Sequence, residues 1–427
     1  MGLGKIHIKS GRQKIVRCHL SGIRCWIVCS GLFFTSALFA GVNVAESIIF
    51  DNFSNQVILV KRASDYQVKG TKHTVELSNR LIVETNTNVT KEDIYHYHPQ
   101  VNKVTELFKG SSTHYYSLTL KDPGKLGQVL NAIRILQQQN EKSGIKLVQP
   151  DILQLKTSAE KIALTKYVPP YIRLLDIPLL WSKTKGKGVK VAIIDDGINL
   201  THPDLQHIMP SFSYDVETGE LSSSPHPKTD GHGTKVAGII FAAHNRFGIN
   251  GIAPEADLIA LRQPDTWTSN TLLSFQLAKL AGASIINCSW HSEWLLQPIA
   301  DAVNELAQYG RDGKGIAVVF AAGNQGLEIK SGGSEAAIDS AIVVGAIGAN
   351  FKPLGFSNYG QSVDLLTYGS GVKTTAVSGE YGVFAGTSLA AAIVSGLSAL
   401  VLSQHPEMTL KKLSQELERL TKNKKGL

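Results

Sequence analysis

Between residues 189 and 344 the chain carries short apolar runs rich in valine and isoleucine: Val189–Ile194, Leu258–Leu261, Ile285–Ser289, Ile316–Ala321 and Ile342–Val344. Strands buried on both faces read this way, and such strands belong to parallel sheets. Helical patterns lie between several of them, notably Leu272–Leu280 and Ile299–Gln308. The alternation predicts an α/β domain, a parallel sheet flanked by helices on both faces. In such sheets functional groups gather at the carboxyl ends of the strands. Asp195, Ser289 and Asn324 stand at such ends.

A different pattern fills Gly386–Gly396, GTSLAAAIVSG, which continues apolar through Val401. A run of strong helix formers with so few polar residues predicts a buried helix. Ser388 falls at its N-terminus, where free backbone N–H groups and the positive end of the helix dipole stabilise negative charge. Two readings stand for Ser388: a helix cap, or a nucleophile.

Residues 46–160 read as a separate small unit. From Leu81 the order is β-α-β-β-α-β, ending in a strand Ile145–Val148 closed by Pro150. This is the split βαβ pattern of ferredoxin-like α+β domains, which carries no chemistry by itself. Thr74–Leu77 and Leu81–Glu84 read as two separate strands. His73, His96, His98 and His114 are scattered and do not form a metal-ligand pattern. A polar connector follows, and the α/β domain is expected over residues 170–420.

The formal charge of +8 is concentrated at the two ends of the chain. No interleaved basic and aromatic patch accompanies it, so nucleic acid is not an expected partner. Lys5 to Arg24 form a basic segment, and residues 25–45 after it are uncharged and mostly apolar, with small residues near Ala40 and Ala45. Residues 1–45 thus have the layout of a secretory signal. The same stretch is just long enough for an uncleaved membrane anchor. Export follows in both cases, to the periplasm or the exterior, or to the membrane by the anchor. Of the four cysteines, Cys18, Cys25 and Cys29 lie in this segment and only Cys288 lies beyond it, which leaves no disulfide framework.

Acyl transfer needs a hydroxyl, an imidazole to take its proton, a carboxylate to orient the imidazole, and an oxyanion donor. Ser388, His232, Asp195 and Asn324 supply these groups, each in a glycine-bearing turn at the end of an element. Their strings VAIIDDGI, HGTKVAG, AAGN and GTSLAAA, in the chain order Asp, His, Ser, resemble the motifs of the subtilisin-like serine proteases. The resemblance covers about residues 175–420. It implies an endopeptidase acting on polypeptides. Asp195 would orient His232, His232 would be the general base and Ser388 the nucleophile. Asn324 Nδ2 and the Ser388 N–H would bind the oxyanion. No cofactor is implied for catalysis. The preceding unit resembles a subtilase propeptide, which implies a zymogen and an intramolecular inhibitor.

Asp195-Asp196-Gly197, Ser289-Trp290 and the turn Gly310–Gly315 are closer to the kexin-like branch, without its C-terminal β-sandwich domain. That likeness implies basic residues before the scissile bond, recognised by Asp196, Asp230, Glu293 and Glu335. Ser289, Trp290 and His291 would line the first pocket. His291 stands where the family has glycine, Ala392 where it has proline, and Leu389 where it has methionine. A histidine titrating near its ordinary value would weaken cleavage after basic residues below about pH 6. Asp204 and Asn245 match positions that hold structural calcium in subtilisins; a simple helix cap and turn is the other reading. The rival function is a catalytically silent subtilase fold that serves as a binding protein.

Overall fold

The computed structural model describes residues 47–422 except 54, 63–64, 140–142, 155–168, 227–228 and 246. The expected signal or anchor over residues 1–45 lies outside the described residues, as does most of the connector after residue 154. The described residues belong to one compact unit, Ala45–Leu427.

Strands β1 (Ser47–Asn52), β2 (Asn55–Lys61) and β3 (Tyr66–Val68) form an antiparallel meander leading into the long β4 (Thr74–Thr85). Then come α1 (Lys91–Tyr95), β5 (Val101–Lys109), β6 (His114–Leu120), α2 (Leu126–Gln139) and β7 (Ile145–Gln154). Antiparallel pairing of β7 with β4, β4 with β6 and β6 with β5 makes the expected ferredoxin-like unit. Helix α2 buries Leu126, Val129, Leu130 and Ile133 against it.

Two expected boundaries move. Thr74–Leu77 and Leu81–Glu84 belong to one strand, whose register against β7 shifts between Leu77 and Leu81. Strand β7 also runs past Pro150 to Gln154. Pro150 lies opposite Leu81, at that shift, where the ladder is already interrupted and a missing N–H costs little.

After α3 (Pro170–Leu174) and α4 (Ile177–Trp181) come β8 (Lys190–Asp195), β9 (Phe212–Asp215), α5 (His232–Phe241), β10 (Asp257–Arg262), the two-residue β11 (Thr266–Trp267) and α6 (Thr268–Leu280). They are followed by β12 (Ile285–Cys288), α7 (Gln297–Gly313), β13 (Ala317–Ala321), β14 (Ile342–Ile347), β15 (Leu365–Tyr368), the hairpin β16 (Val372–Thr375) and β17 (Tyr381–Phe384), α8 (Thr387–Gln404) and α9 (Leu410–Thr421). The sheet is parallel throughout, in the order β15-β14-β13-β12-β8-β10-β9. The order reverses at β8, so Asp195 emerges where a doubly wound sheet opens a crevice. Helix α8 is apolar and long enough to cross a membrane, but 89% of it is buried. It is a core helix, apolar all round because protein surrounds it.

The two sheets meet on the α6–α7 side. Strand β7 adds β11 to its edge, pairing Leu153 with Trp267 and Gln154 with Thr266. Asp151 accepts from the Ser269 N–H at 2.9 Å and from the Ser269 hydroxyl at 2.9 Å. It thereby caps α6, which has no side-chain cap of its own. Glu305 on α7 accepts from the Ser111 N–H at 2.5 Å and its hydroxyl at 2.7 Å.

Candidate active site

Asp195 is the last residue of β8 and is buried. Its carboxylate oxygens lie 3.0 and 2.9 Å from His232 Nδ1. A carboxylate can only accept, so Nδ1 carries the proton and Nε2 is the basic face of the ring. His232 is the first residue of α5, and its ring meets Phe384 edge-on at 5.4 Å.

Ser388 is buried in the first turn of α8. Gly386 before it has φ 95°, a left-handed conformation that lets the chain turn sharply into the helix. The Ser388 hydroxyl donates to the Ser289 carbonyl at 2.8 Å, and the Ser289 hydroxyl donates to the Ser388 carbonyl at 3.0 Å. Asn287 Nδ2 donates to the Ser289 hydroxyl at 2.9 Å, and Ser395 donates to Asn287 Oδ1 at 2.9 Å. This buried polar chain ties the end of β12 to two turns of α8. Asn324 follows β13. Its Oδ1 accepts from the Thr387 N–H at 2.9 Å and the Thr387 hydroxyl at 3.1 Å. With Oδ1 held there, Nδ2 is the end of the amide that remains to donate.

Four residues from separate strands and helices therefore converge at the carboxyl edge of one sheet, beside a cleft of about 530 Å³ lined by Asp195, His232, Ser289 and Trp290 among others. The model of the subtilase family, Peptidase S8, matches residues 186–426. The chain belongs to the subtilase family. Subtilisin NAT of Bacillus subtilis subsp. natto is 34% identical over 260 residues, 59% of this chain and 65% of that relative. The chain thus spans just under two thirds of that relative's length. Subtilisin of Bacillus pumilus is 33% identical over 260 residues, which are 59% of this chain and 90% of that one. The crystal structure of a cold adapted subtilisin-like serine proteinase superposes with a TM-score of 0.47 at 25% identity, covering 55% of this chain and 82% of that one.

In this subtilase the acids expected to read basic side chains are engaged internally. Asp196 accepts from the N–H groups of Gly231, His232 and Gly233 at 2.8, 2.9 and 2.7 Å. Burial, and then the neighbouring Asp195, push its carboxyl up. Asp230 is bridged by Arg262 through Nε at 3.0 Å and Nη2 at 2.8 Å. Burial alone would raise the Asp230 carboxyl, but the His226 N–H, Thr229 and Arg262 together hold it below the usual range. The buried Glu335 accepts from the Ser292 N–H and hydroxyl, both at 2.7 Å. Glu293 pairs with His73 of the N-terminal domain at 2.8 Å. Asp196, Asp230 and Glu335 are thus engaged within the catalytic domain, whereas the half-exposed Glu293 is engaged only by the N-terminal domain.

Ser289 and Trp290 line the cleft, and Trp290 Nε1 donates to the Ile194 carbonyl at 2.7 Å. His291 turns inward instead. It is 5% exposed, and a methyl group on Gly323 would stand 2.9 Å from its Cε1. Burial pulls its titration down to about 4, so the expected protonation near pH 6 is overturned.

The calcium reading fares no better. Asp204 is fully buried and accepts from Asn245 Nδ2 at 3.2 Å, the Ile249 N–H at 2.9 Å and the Tyr381 hydroxyl at 2.9 Å. Asn245 Oδ1 is used by the Phe247 N–H at 2.8 Å. Donors converge where a cation needs oxygens. A methyl group on Gly248 would already overlap Asp204 Oδ2 and the Tyr381 hydroxyl. Among the described residues the set fits a hydrogen-bonded turn and does not fit calcium. No group of three or more His, Cys, Asp or Glu suited to a metal occurs among the described residues.

Sequence reasoning missed Thr387, which sets the Asn324 amide, and Arg262, which neutralises Asp230. Arg262 left a signal, a lone charge closing an apolar strand; Thr387 looked like part of a turn.

Proposed function

We propose that the protein is a serine endopeptidase of the subtilase type. The observation that carries this reading is the 2.9 Å pair of Asp195 and His232 Nδ1 at the mouth of a sheet that also presents Ser388 and Asn324. On substrate binding the Ser388 hydroxyl leaves the Ser289 carbonyl and turns to His232. Its oxygen attacks the peptide carbonyl carbon while Nε2 takes the proton. The oxyanion forms against Asn324 Nδ2 and the Ser388 N–H at the positive end of α8. His232 returns the proton to the leaving amine, and water then releases the acyl group by the same steps.

The N-terminal domain is proposed as a propeptide that inhibits in cis and is removed on maturation, because its strand β7 pairs with β11 and its Asp151 caps α6. The basic and then apolar segment before it supports export. Replacement of Ser388 by alanine is expected to leave a folded precursor near full length; maturation of purified Ser388→Ala to the wild-type size would refute self-processing. A fluorophosphonate probe separates the enzyme from the binding-protein reading. Labelling of Ser388 in the mature protein is expected, and a folded mature protein that stays unlabelled would favour binding.

A further inference from the structure

We propose that Asp196 is the positioning residue for His232. Its carboxylate supplies the cap that α5 lacks, and so sets where the imidazole stands between Asp195 and Ser388. The proposal rests on the hydrolytic reading above. Helix α5 starts after Gly231, which has no side chain with which to cap. The first N–H groups of a helix have no partner within it. Here three successive ones, from Gly231, His232 and Gly233, converge on Asp196. One of them is the backbone N–H of His232 itself.

The fit between the two segments is close. A methyl group on Gly233 would stand 2.5 Å from the Gly197 carbonyl oxygen and 2.9 Å from Asp195 Cβ. The Asp196 N–H also donates to Asp195 Oδ1 at 2.8 Å. The last residue of β8 and the one after it thus grip His232 at two ends, Asp195 at the ring and Asp196 at the backbone. Both Asp196 oxygens are committed to this grip, which leaves a poor acceptor for a substrate cation.

The negative charge of Asp196 lies beside an imidazole that must become positive in the transition state. The other charged groups there are Asp195 at the ring and, along the cleft, Asp230 with Arg262, Glu217, His226 and Asp265. Arg262 offsets Asp230 and Glu217. Asp196 is therefore a second anion that favours the imidazolium, after Asp195.

The test compares wild type with Asp196→Asn on paired peptides carrying lysine or alanine at the second position before the scissile bond. A misplaced general base lowers kcat. The expected result is a fall in kcat of about ten- to hundredfold on both peptides, with KM nearly unchanged. The acid limb of the kcat/KM profile should move about one unit to lower pH. A rise in KM confined to the lysine peptide, with kcat intact, would overturn the proposal in favour of substrate recognition. A uniform loss with an unmoved acid limb would overturn it in favour of simple stability. Asp196→Ser reads the same quantities if Asp196→Asn does not fold.

Proton NMR of Ser388→Ala gives a readout free of turnover. The Nδ1 proton of His232 should titrate at lower pH once Asp196→Asn is added; an identical signal and titration would refute positioning. If wild type neither cleaves peptides nor reacts with a fluorophosphonate, the hydrolytic reading fails, while the NMR comparison still decides the positioning.

Discussion

Burial decides the charge of His291. A histidine whose folded value is pulled down to about 4 stays neutral in the fold while the unfolded chain takes a proton below about 6.5. The unfolded state then binds more protons, so stability falls as the pH drops from about 6.5 towards 4. The full effect is about 3 kcal/mol. The melting temperature should decline across this window, and His291→Asn should flatten the decline. Activity at pH 6 should show no contribution from His291. At Asn324 the amide is already oriented by Thr387 and needs no reorganisation to meet an oxyanion. Asn324→Ala is expected to cost about 2.7–4 kcal/mol of transition-state binding, seen in kcat with KM little changed. An equal loss in KM would remove Asn324 from that role.

Helices α6 and α7 depend on the N-terminal domain for groups that their own sequences do not provide. Asp151 caps α6 and also receives Arg80 Nε at 2.7 Å. Asp151→Ala should weaken binding of that domain by about 0.5–2 kcal/mol from the cap alone. The contact on α7 depends on pH. Tyr115 is buried and donates to Asp301 Oδ2 at 2.6 Å, with Glu84 Oε2 3.4 Å away. Burial raises both carboxyls. Asp301 raises Glu84 further, and Lys146 opposes the rise in each. A raised carboxyl favours the assembled state below its ordinary value, 3.8 for Asp301 and 4.5 for Glu84, and loses that contribution as the pH rises through its raised value. Inhibition of the mature enzyme by the separate N-terminal domain should therefore weaken as the pH rises from the ordinary carboxylate range through the raised values. Asp301→Asn should reduce that dependence. An inhibition constant that stays flat across that rise would show that the acid pair does not control the contact.

Across the whole molecule, the loop around Asp204 is held by hydrogen bonds from Asn245, Ile249 and Tyr381. A chelator should leave the melting temperature of the purified protein unchanged. Asp204→Ala should destabilise it by about 2–4 kcal/mol, because the Ile249 N–H and the Tyr381 hydroxyl would each lose a buried charged partner. A chelator-induced fall in melting temperature would restore the cation. The seven-stranded sheet unites the site over long chain distances. Asp195, Asn324 and Ser388 come from three separate elements whose ends meet only because β8, β12 and β13 are parallel neighbours and α8 packs across them.

The sequence determined the features that local pattern can encode. Uniform Val and Ile runs require burial on both faces, so the parallel sheet and its helices were legible. The motifs around Asp195, His232, Asn324 and Ser388 were legible because each sits in its own glycine-bearing turn. The βαββαβ order was legible from alternation and helical spacing. What a carboxylate or an imidazole faces is set by segments distant in the chain, and there only tertiary structure decided. Asp196, Asp230, Glu293 and Glu335 look alike as acids in a sequence. Folding gives them, respectively, a helix start, an arginine, a histidine of the other domain and a serine loop. Strand β7 continues past Pro150 because a register shift in β4 meets it there, and β11 exists only because β7 supplies its partner. Burial of His291 against Gly323 has the same origin: desolvation depends on neighbours in space, and its own segment carries no sign of them.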